Sequence, residues 1–65
     1  MRMKITIEIL AALLQRGWRL EHTGEMFRFR RPDGISGSPY QTRDLDYFPD
    51  CVGEWVLENI PLVPV

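Results

Sequence analysis

The chain has 65 residues, 45% of them hydrophobic, an ordinary share for a globular protein that argues against disorder. This length predicts a single domain over residues 1–65, near the lower limit for one apolar core. One cysteine, Cys51, excludes an internal disulfide, and one cysteine with one histidine cannot form a zinc site. We therefore expect no metal or cofactor, and a cytoplasmic location.

The N-terminal segment superficially resembles a signal peptide, because a basic start precedes the mostly apolar residues Ile5 to Leu14. Glu8 interrupts this apolar run, however, and no small-residue cleavage site follows it. The run is also shorter than the about 20 residues that span a bilayer. We expect neither a signal peptide nor contact with a membrane.

Charge is unevenly distributed along the chain. Residues 1–31 contain seven basic and three acidic side chains, or +4, and residues 32–65 contain one basic and six acidic, or −5. Attraction between the two halves within the fold is the favoured interpretation, because small domains usually have mixed surfaces. The alternative is a protein with one basic and one acidic face.

The first segment predicts a helix from Ile7 to Arg16, with Thr6 as its N-cap and Gly17 just beyond its end. Residues 2–5 are expected to be extended, and strand or helix both stay open for residues 2–9 because two periodicities overlap there. The helical stripe consists of Ile7, Leu10, Leu13 and Leu14.

Two alternating segments follow and predict a β-hairpin with a two-residue turn at Thr23–Gly24. Alternation separates two faces of this hairpin. The inner face is expected to contain Trp18, Leu20, Phe27 and Phe29, with His22 at its end. The outer face is expected to contain Arg19, Glu21, Arg28 and Arg30.

The second half begins with a strong turn signal, Pro32-Asp33-Gly34. The following segment, Ile35 to Thr42, is assigned to an edge strand in preference to a loop, because an edge strand tolerates proline. A second helix starts at Pro49 and ends before Pro61. Close packing is the expected reason for Gly53 inside it, with the sheet as one candidate partner. Its buried side comprises Phe48, Val52, Trp55, Val56 and Ile60.

The predicted fold class is therefore α+β, in the order α-β-β-β-α. A small antiparallel sheet of two or three strands is expected to pack against two helices, with a short N-terminal strand as an optional addition.

This order, together with several short motifs, resembles the HicA toxins, small mRNA interferases with a fold like that of double-stranded-RNA-binding domains. The resemblance runs from about Ile9 to Ile60 and rests on Leu13-Leu14, Gly17-Trp18, Gly24, Phe29, Pro32-Asp33-Gly34 and Pro39. It implies the same fold and an RNA ligand.

The catalytic segment of that family departs from this sequence. HicA proteins have Gly-x-His after the hairpin turn, where this chain reads Gly24-Glu25-Met26-Phe27, and their Pro-His pair reads Pro39-Tyr40. Methionine cannot transfer a proton, so no catalytic residue carries over. Residues 39–44 also resemble small prophage proteins, which indicates a phage origin.

Three further residue types bear on catalysis and metal binding: histidine, cysteine and the acidic residues. His22 would act as a base, but a hairpin-end residue is the favoured interpretation because no orienting partner is evident. Cys51 is expected to pack in the core as a small hydrophobe. The acidic residues after position 43 lack the spacing of a calcium loop and suit helix capping and a solvated face: Asp44, Asp46, Asp50, Glu54 and Glu58. The alternative is an acidic face that mimics nucleic acid or attracts a basic partner.

The arginines are the strongest functional signal. Arg19, Arg28 and Arg30 share one face, with Arg31 beside them and Arg16 close by, and such a surface is typical of phosphate binding. A solvated face with Arg–Glu pairs is the competing interpretation. No aromatic residue accompanies the arginines, so base stacking is not expected.

The preferred function is a non-enzymatic interaction module that binds a protein partner or a second copy of itself. The arginines would supply the contact charges, with Tyr40 and the tail at residues 62–65 as apolar anchors. The alternative is an RNA-binding relative of HicA without cleavage, and a ribonuclease that uses His22 ranks last.

Overall fold

The computed structural model describes residues 3–61 of the chain. The α+β class and the order α-β-β-β-α are confirmed. Within the described range the elements are helix α1 (Ile7–Gln15), strands β1 (Arg19–Thr23), β2 (Met26–Arg30) and β3 (Gln41–Thr42), and helix α2 (Asp50–Asn59), with a 3-10 turn at Ser38–Tyr40 before β3. Neither helix in this part of the chain is long and apolar enough to cross a membrane.

Helix α1 begins at the predicted residue and ends within one residue of the predicted end. The Thr6 hydroxyl accepts a hydrogen bond from the Ile9 amide at 3.2 Å, which confirms the N-cap. Arg16 caps the other end, one residue earlier than expected, and Gly17 follows with φ of 100°. A Cβ on Gly17 would lie 3.2 Å from Cβ of Pro32, so this position also holds the helix end close to the turn after β2.

The sequence left strand or helix open for residues 2–9. Residues 3–6 lie outside the helix, and the helix starts at Ile7. Lys4 forms an isolated antiparallel bridge with Tyr47. Two backbone hydrogen bonds flank this bridge: the Ile5 amide donates to Asp46 O, and the Phe48 amide donates to Met3 O, both at 2.9 Å. The short N-terminal strand is thus reduced to one bridge, and residue 2 lies outside the described residues.

The hairpin register places its turn one residue later than predicted. Thr23 pairs with Met26, so the two turn residues are Gly24 and Glu25, and the prediction of Thr23–Gly24 is wrong. Gly24 has φ of 58°, a conformation that glycine adopts without steric strain and that a hairpin turn requires.

The sheet has the strand order β1-β2-β3, all antiparallel. The predicted edge strand over Ile35–Thr42 exists only at its last two residues, which pair with Phe27 and Arg28 of β2. Pro39 belongs to the 3-10 turn, where its missing N–H is no disadvantage, and this turn keeps β3 short.

One core joins both helices to the inner face of the sheet. The residues buried in it are Leu13, Trp18, Phe29, Phe48, Val52, Val56 and Ile60. The predicted buried side of α2 is confirmed, with Trp55 only partly buried. The stripe predicted for α1 is partly wrong, because Ile7 and Leu14 are 86% and 43% exposed and the buried side is centred on Leu13.

Gly53 is buried in α2 but does not contact the sheet as expected. A Cβ at this position would meet Cβ of Met3 at 3.5 Å, which is an ordinary van der Waals distance. The N-terminal extended segment, not the sheet, therefore covers this side of α2.

Candidate interaction surfaces

The outer face of the sheet carries the predicted arginine cluster. Directly opposed residues in an antiparallel pair point to the same side. Arg19 is opposite Arg30, Glu21 is opposite Arg28, and Gln41 of β3 is opposite Arg28 on its other side. None of these residues is buried, so the face is open to solvent. We call these five residues the arginine face.

One arginine of this face is fully engaged. Arg30 binds Glu21 through two hydrogen bonds, from Nε to Oε2 at 3.2 Å and from Nη2 to Oε1 at 3.1 Å. Its Nη1 donates to the carbonyl of Gly34 at 2.9 Å. The hydrogen bond from Arg30 holds the pKa of Glu21 below its ordinary value, and the charges of Arg30 and Arg28 act in the same direction.

The other two arginines keep most of their donors free. Arg28 forms no hydrogen bond or ion pair with any residue in the range 3–61, although it is half-buried. Arg19 is exposed and uses only Nη1, which donates to the carbonyl of Trp18 at 2.9 Å. The arginine face therefore presents two guanidinium groups to a partner, beside one ion pair that is already formed.

Arg31 and Tyr40 lie away from the arginine face. Arg31 follows Arg30, so alternation turns it to the side of Phe29 and the helices. There it donates from Nη1 to the hydroxyl of Tyr40 at 3.4 Å, and its Nε lies 3.3 Å from Oδ2 of Asp33. The Tyr40 hydrogen bond, followed by the charge of Asp33, raises the pKa of Arg31. The expectation that Arg31 extends the outer cluster is wrong.

Two clefts border α2 and meet at Cys51. One, of about 390 Å³, lies between the β3 region and the start of α2. The other, of about 230 Å³, lies between Tyr40 and the middle of α2. Cys51 is exposed, so its predicted place in the core is wrong. We call the two clefts together the α2 groove, and its charged and aromatic lining includes Arg31, Tyr40, Asp44, Tyr47, Asp50, Glu54, Trp55 and Glu58.

The sequence indicated the acidic side of α2 but not this groove. Asp50, Glu54 and Glu58 recur at every fourth position, which is a signal that they share one side of α2. Nothing in the sequence indicated that Tyr40 would lie against that side, because this contact joins residues that are distant in the chain.

His22 packs on Phe27 rather than on a catalytic partner. The two rings are stacked, with centroids 4.7 Å apart and planes 21° apart. His22 is exposed and forms no hydrogen bond or ion pair with another residue of the described range. Within that range, no group of three or more His, Cys, Asp and Glu side chains is arranged to hold a metal ion.

Comparisons with protein-family models, with curated proteins and with solved structures gave no match to this chain.

Proposed function

We propose that the chain is a small non-enzymatic interaction module whose arginine face binds a carboxylate-bearing surface of a partner protein. The observation that carries this proposal is the state of Arg28, a half-buried residue whose side chain forms no hydrogen bond or ion pair among residues 3–61 and whose Nε is buried without an acceptor. Guanidinium groups bind carboxylates through paired, charge-assisted hydrogen bonds, so an unpaired one on a sheet face is suited to such a contact.

The composition of the arginine face favours protein over nucleic acid. It offers no aromatic ring for base stacking, since Phe29 is buried and Phe27 is stacked on His22. Glu21 adds a carboxylate at its centre, which repels a phosphate backbone. The same repulsion acts on a carboxylate, but a protein surface can space its carboxylates to meet Arg19 and Arg28 away from Glu21.

RNA binding without cleavage is the second candidate. A free guanidinium suits phosphate as well as carboxylate, and the α-β-β-β-α order is the one that the resemblance to HicA implies. The first candidate, by contrast, fits a phage-derived protein that acts by binding a host protein.

The test compares two labelled probes by fluorescence anisotropy, a short polyglutamate peptide and a short RNA duplex. We expect the peptide to bind and to bind about fivefold more weakly to Arg28→Gln, the effect of losing one exposed charge contact. Arg16→Gln is the matched control, because Arg16 is the exposed C-cap residue of α1 and its one side-chain hydrogen bond among the described residues goes to the carbonyl of Ala12.

Two outcomes would overturn the proposal. Salt-sensitive binding of the RNA duplex that exceeds peptide binding and is lost in Arg28→Glu would support the second candidate instead. RNA cleavage that is abolished by His22→Ala would contradict the non-enzymatic assignment.

Binding to a second copy is the other form of the same proposal. β1 is an edge strand, and among the described residues only β2 pairs with it. An open edge is a template for a strand of another chain. Analytical ultracentrifugation that shows only monomers at high protein concentration would exclude self-association. The partner would then be a different protein.

A further inference from the structure

The α2 groove has a charged lining that is mostly acidic, whereas the arginine face carries three arginines. Its length can be estimated from α2, because Asp50 and Glu58 are eight residues apart and a helix rises 1.5 Å per residue, which gives about 12 Å. An extended peptide of about four residues covers that distance.

Four carboxylates line the groove. Asp44 already accepts a hydrogen bond from the Asp46 amide at 3.1 Å. The three on α2 are exposed and form no hydrogen bond or ion pair with another described residue: Asp50, Glu54 and Glu58. The groove wall is therefore strongly negative and its carboxylate oxygens are largely available.

Two of these carboxylates do not stabilise α2. Like charges four residues apart weaken a helix, and Glu54 and Glu58 form such a pair. Glu58 also lies in the last turn, where the helix dipole disfavours an anion and where α2 has no basic residue. Helix stability therefore gives no reason for their placement, whereas binding of a cation does.

Among the described residues, Arg31 is the one cation that lines the groove, and it already has an acidic partner. Arg31 lies 3.3 Å from the carboxylate of Asp33 and donates to the Tyr40 hydroxyl. It thus repels an incoming cation much less than a free arginine would.

Aromatic rings complete the groove. Tyr40 and Trp55 line its second cleft and pack on the buried Trp18, with ring centroids at 6.2 Å and 5.3 Å. This packing holds both rings in place, and their faces attract guanidinium and ammonium groups. Carboxylates alone would accept any cation, but carboxylates beside fixed rings favour arginine and lysine side chains.

From this charge and shape complementarity, we propose that the α2 groove binds an extended arginine- or lysine-rich segment of a partner protein. This proposal does not depend on the arginines of the arginine face, because none of them lines the α2 groove. A module with both surfaces would join an acidic protein to a basic one.

The experiment uses the full chain with a labelled short polyarginine peptide, and a polyglutamine peptide of the same length as the negative probe. We expect the double variant Glu54→Gln with Glu58→Gln to bind polyarginine about tenfold more weakly, from two lost exposed charge contacts. Glu8→Gln with Glu25→Gln is the matched control, since it changes the net charge equally at exposed sites outside the groove.

Cys51 supplies a local readout, because it is exposed where the two clefts meet. Bound polyarginine is expected to slow the reaction of this thiol with a thiol reagent, and polyglutamine is expected to leave it unchanged. Equal weakening in both double variants would show general charge attraction and overturn the proposal. Unchanged thiol reactivity at saturating polyarginine would also overturn it. Arg28→Gln tests the arginine face separately and is expected to leave polyarginine binding unaffected.

Discussion

Glu21 pairs with Arg30 diagonally across the hairpin, although the residue directly opposite Glu21 is Arg28. The diagonal pair uses both carboxylate oxygens, and Arg30 also reaches the carbonyl of Gly34 beyond the end of β2. This choice of partner links the hairpin to the following turn. It also leaves Arg28 without a partner in the described range, which is the basis of the proposed binding surface.

The first prediction concerns acid stability. The pKa of Glu21 is lowered in the folded state by its hydrogen bond to Arg30, so its contribution to stability is present above the unfolded pKa and is lost as pH falls through the folded value. We expect the wild-type protein to lose more unfolding free energy than Glu21→Gln between about pH 7 and about pH 3. Urea unfolding across this range measures the difference.

Glu25→Gln is the control for that experiment. Glu25 is exposed in the hairpin turn and forms no hydrogen bond or ion pair with a described residue, so its variant should keep the wild-type pH dependence. Parallel pH curves for the wild type and Glu21→Gln would contradict the role assigned to the pair.

The second prediction concerns the end of α1. Gly17→Ala is expected to destabilise the protein by about 2 kcal/mol, because a residue with a Cβ is strained at positive φ and this Cβ would press on Pro32 at 3.2 Å. Gly24→Ala is the comparison, since Gly24 also has positive φ but open space around it. Denaturant unfolding that gives equal losses for both variants would show that the Pro32 contact is unimportant.

The third prediction is a stabilising substitution. Gly53→Ala is expected to raise the unfolding free energy by about 0.5–1 kcal/mol, because alanine is the better helix former and its Cβ meets Met3 at an ordinary 3.5 Å. Gly53→Leu should reverse the gain, since a large side chain would displace the N-terminal segment. A loss of stability in Gly53→Ala would contradict this prediction. It would mean that the N-terminal segment at Met3 cannot move enough to accommodate the added Cβ.

The fourth prediction tests the start of α1. Thr6→Ala is expected to lower stability by about 1 kcal/mol, because the Ile9 amide loses the hydroxyl that accepts its hydrogen bond. Thr6→Asp should restore most of this loss, since aspartate caps a helix at the same position. Thermal or urea unfolding measures the stability of both variants. If Thr6→Asp is as unstable as Thr6→Ala, loss of the cap is not the cause.

Local signals predicted the parts of this fold that depend on near neighbours. The N-cap at Thr6, the helix end at Gly17 and the alternating faces of the hairpin each follow from residues within a few positions of one another. Local signals also explain the wrong prediction of a turn at Thr23–Gly24. The turn residues alone do not fix the strand register, which is decided by pairing across the hairpin.

The arginine face was predictable from sequence and the α2 groove was not. Period-two alternation is enough to place Arg19, Arg28 and Arg30 together, whereas Arg31 and Tyr40 meet across nine positions of turn and loop. Cys51 shows the same limit, because its exposure depends on which side of α2 the core covers.

The sequence by itself determined the element order, the inner and outer faces of the hairpin and the buried side of α2, because these follow from local periodicity and capping. Only the tertiary structure decided that Arg30 rather than Arg28 takes Glu21, that Met3 covers Gly53, and that Tyr40 lies beside the acidic side of α2. The reason is physical: such contacts join residues that are distant in the chain or compete for one partner, and their geometry exists only once the core has formed.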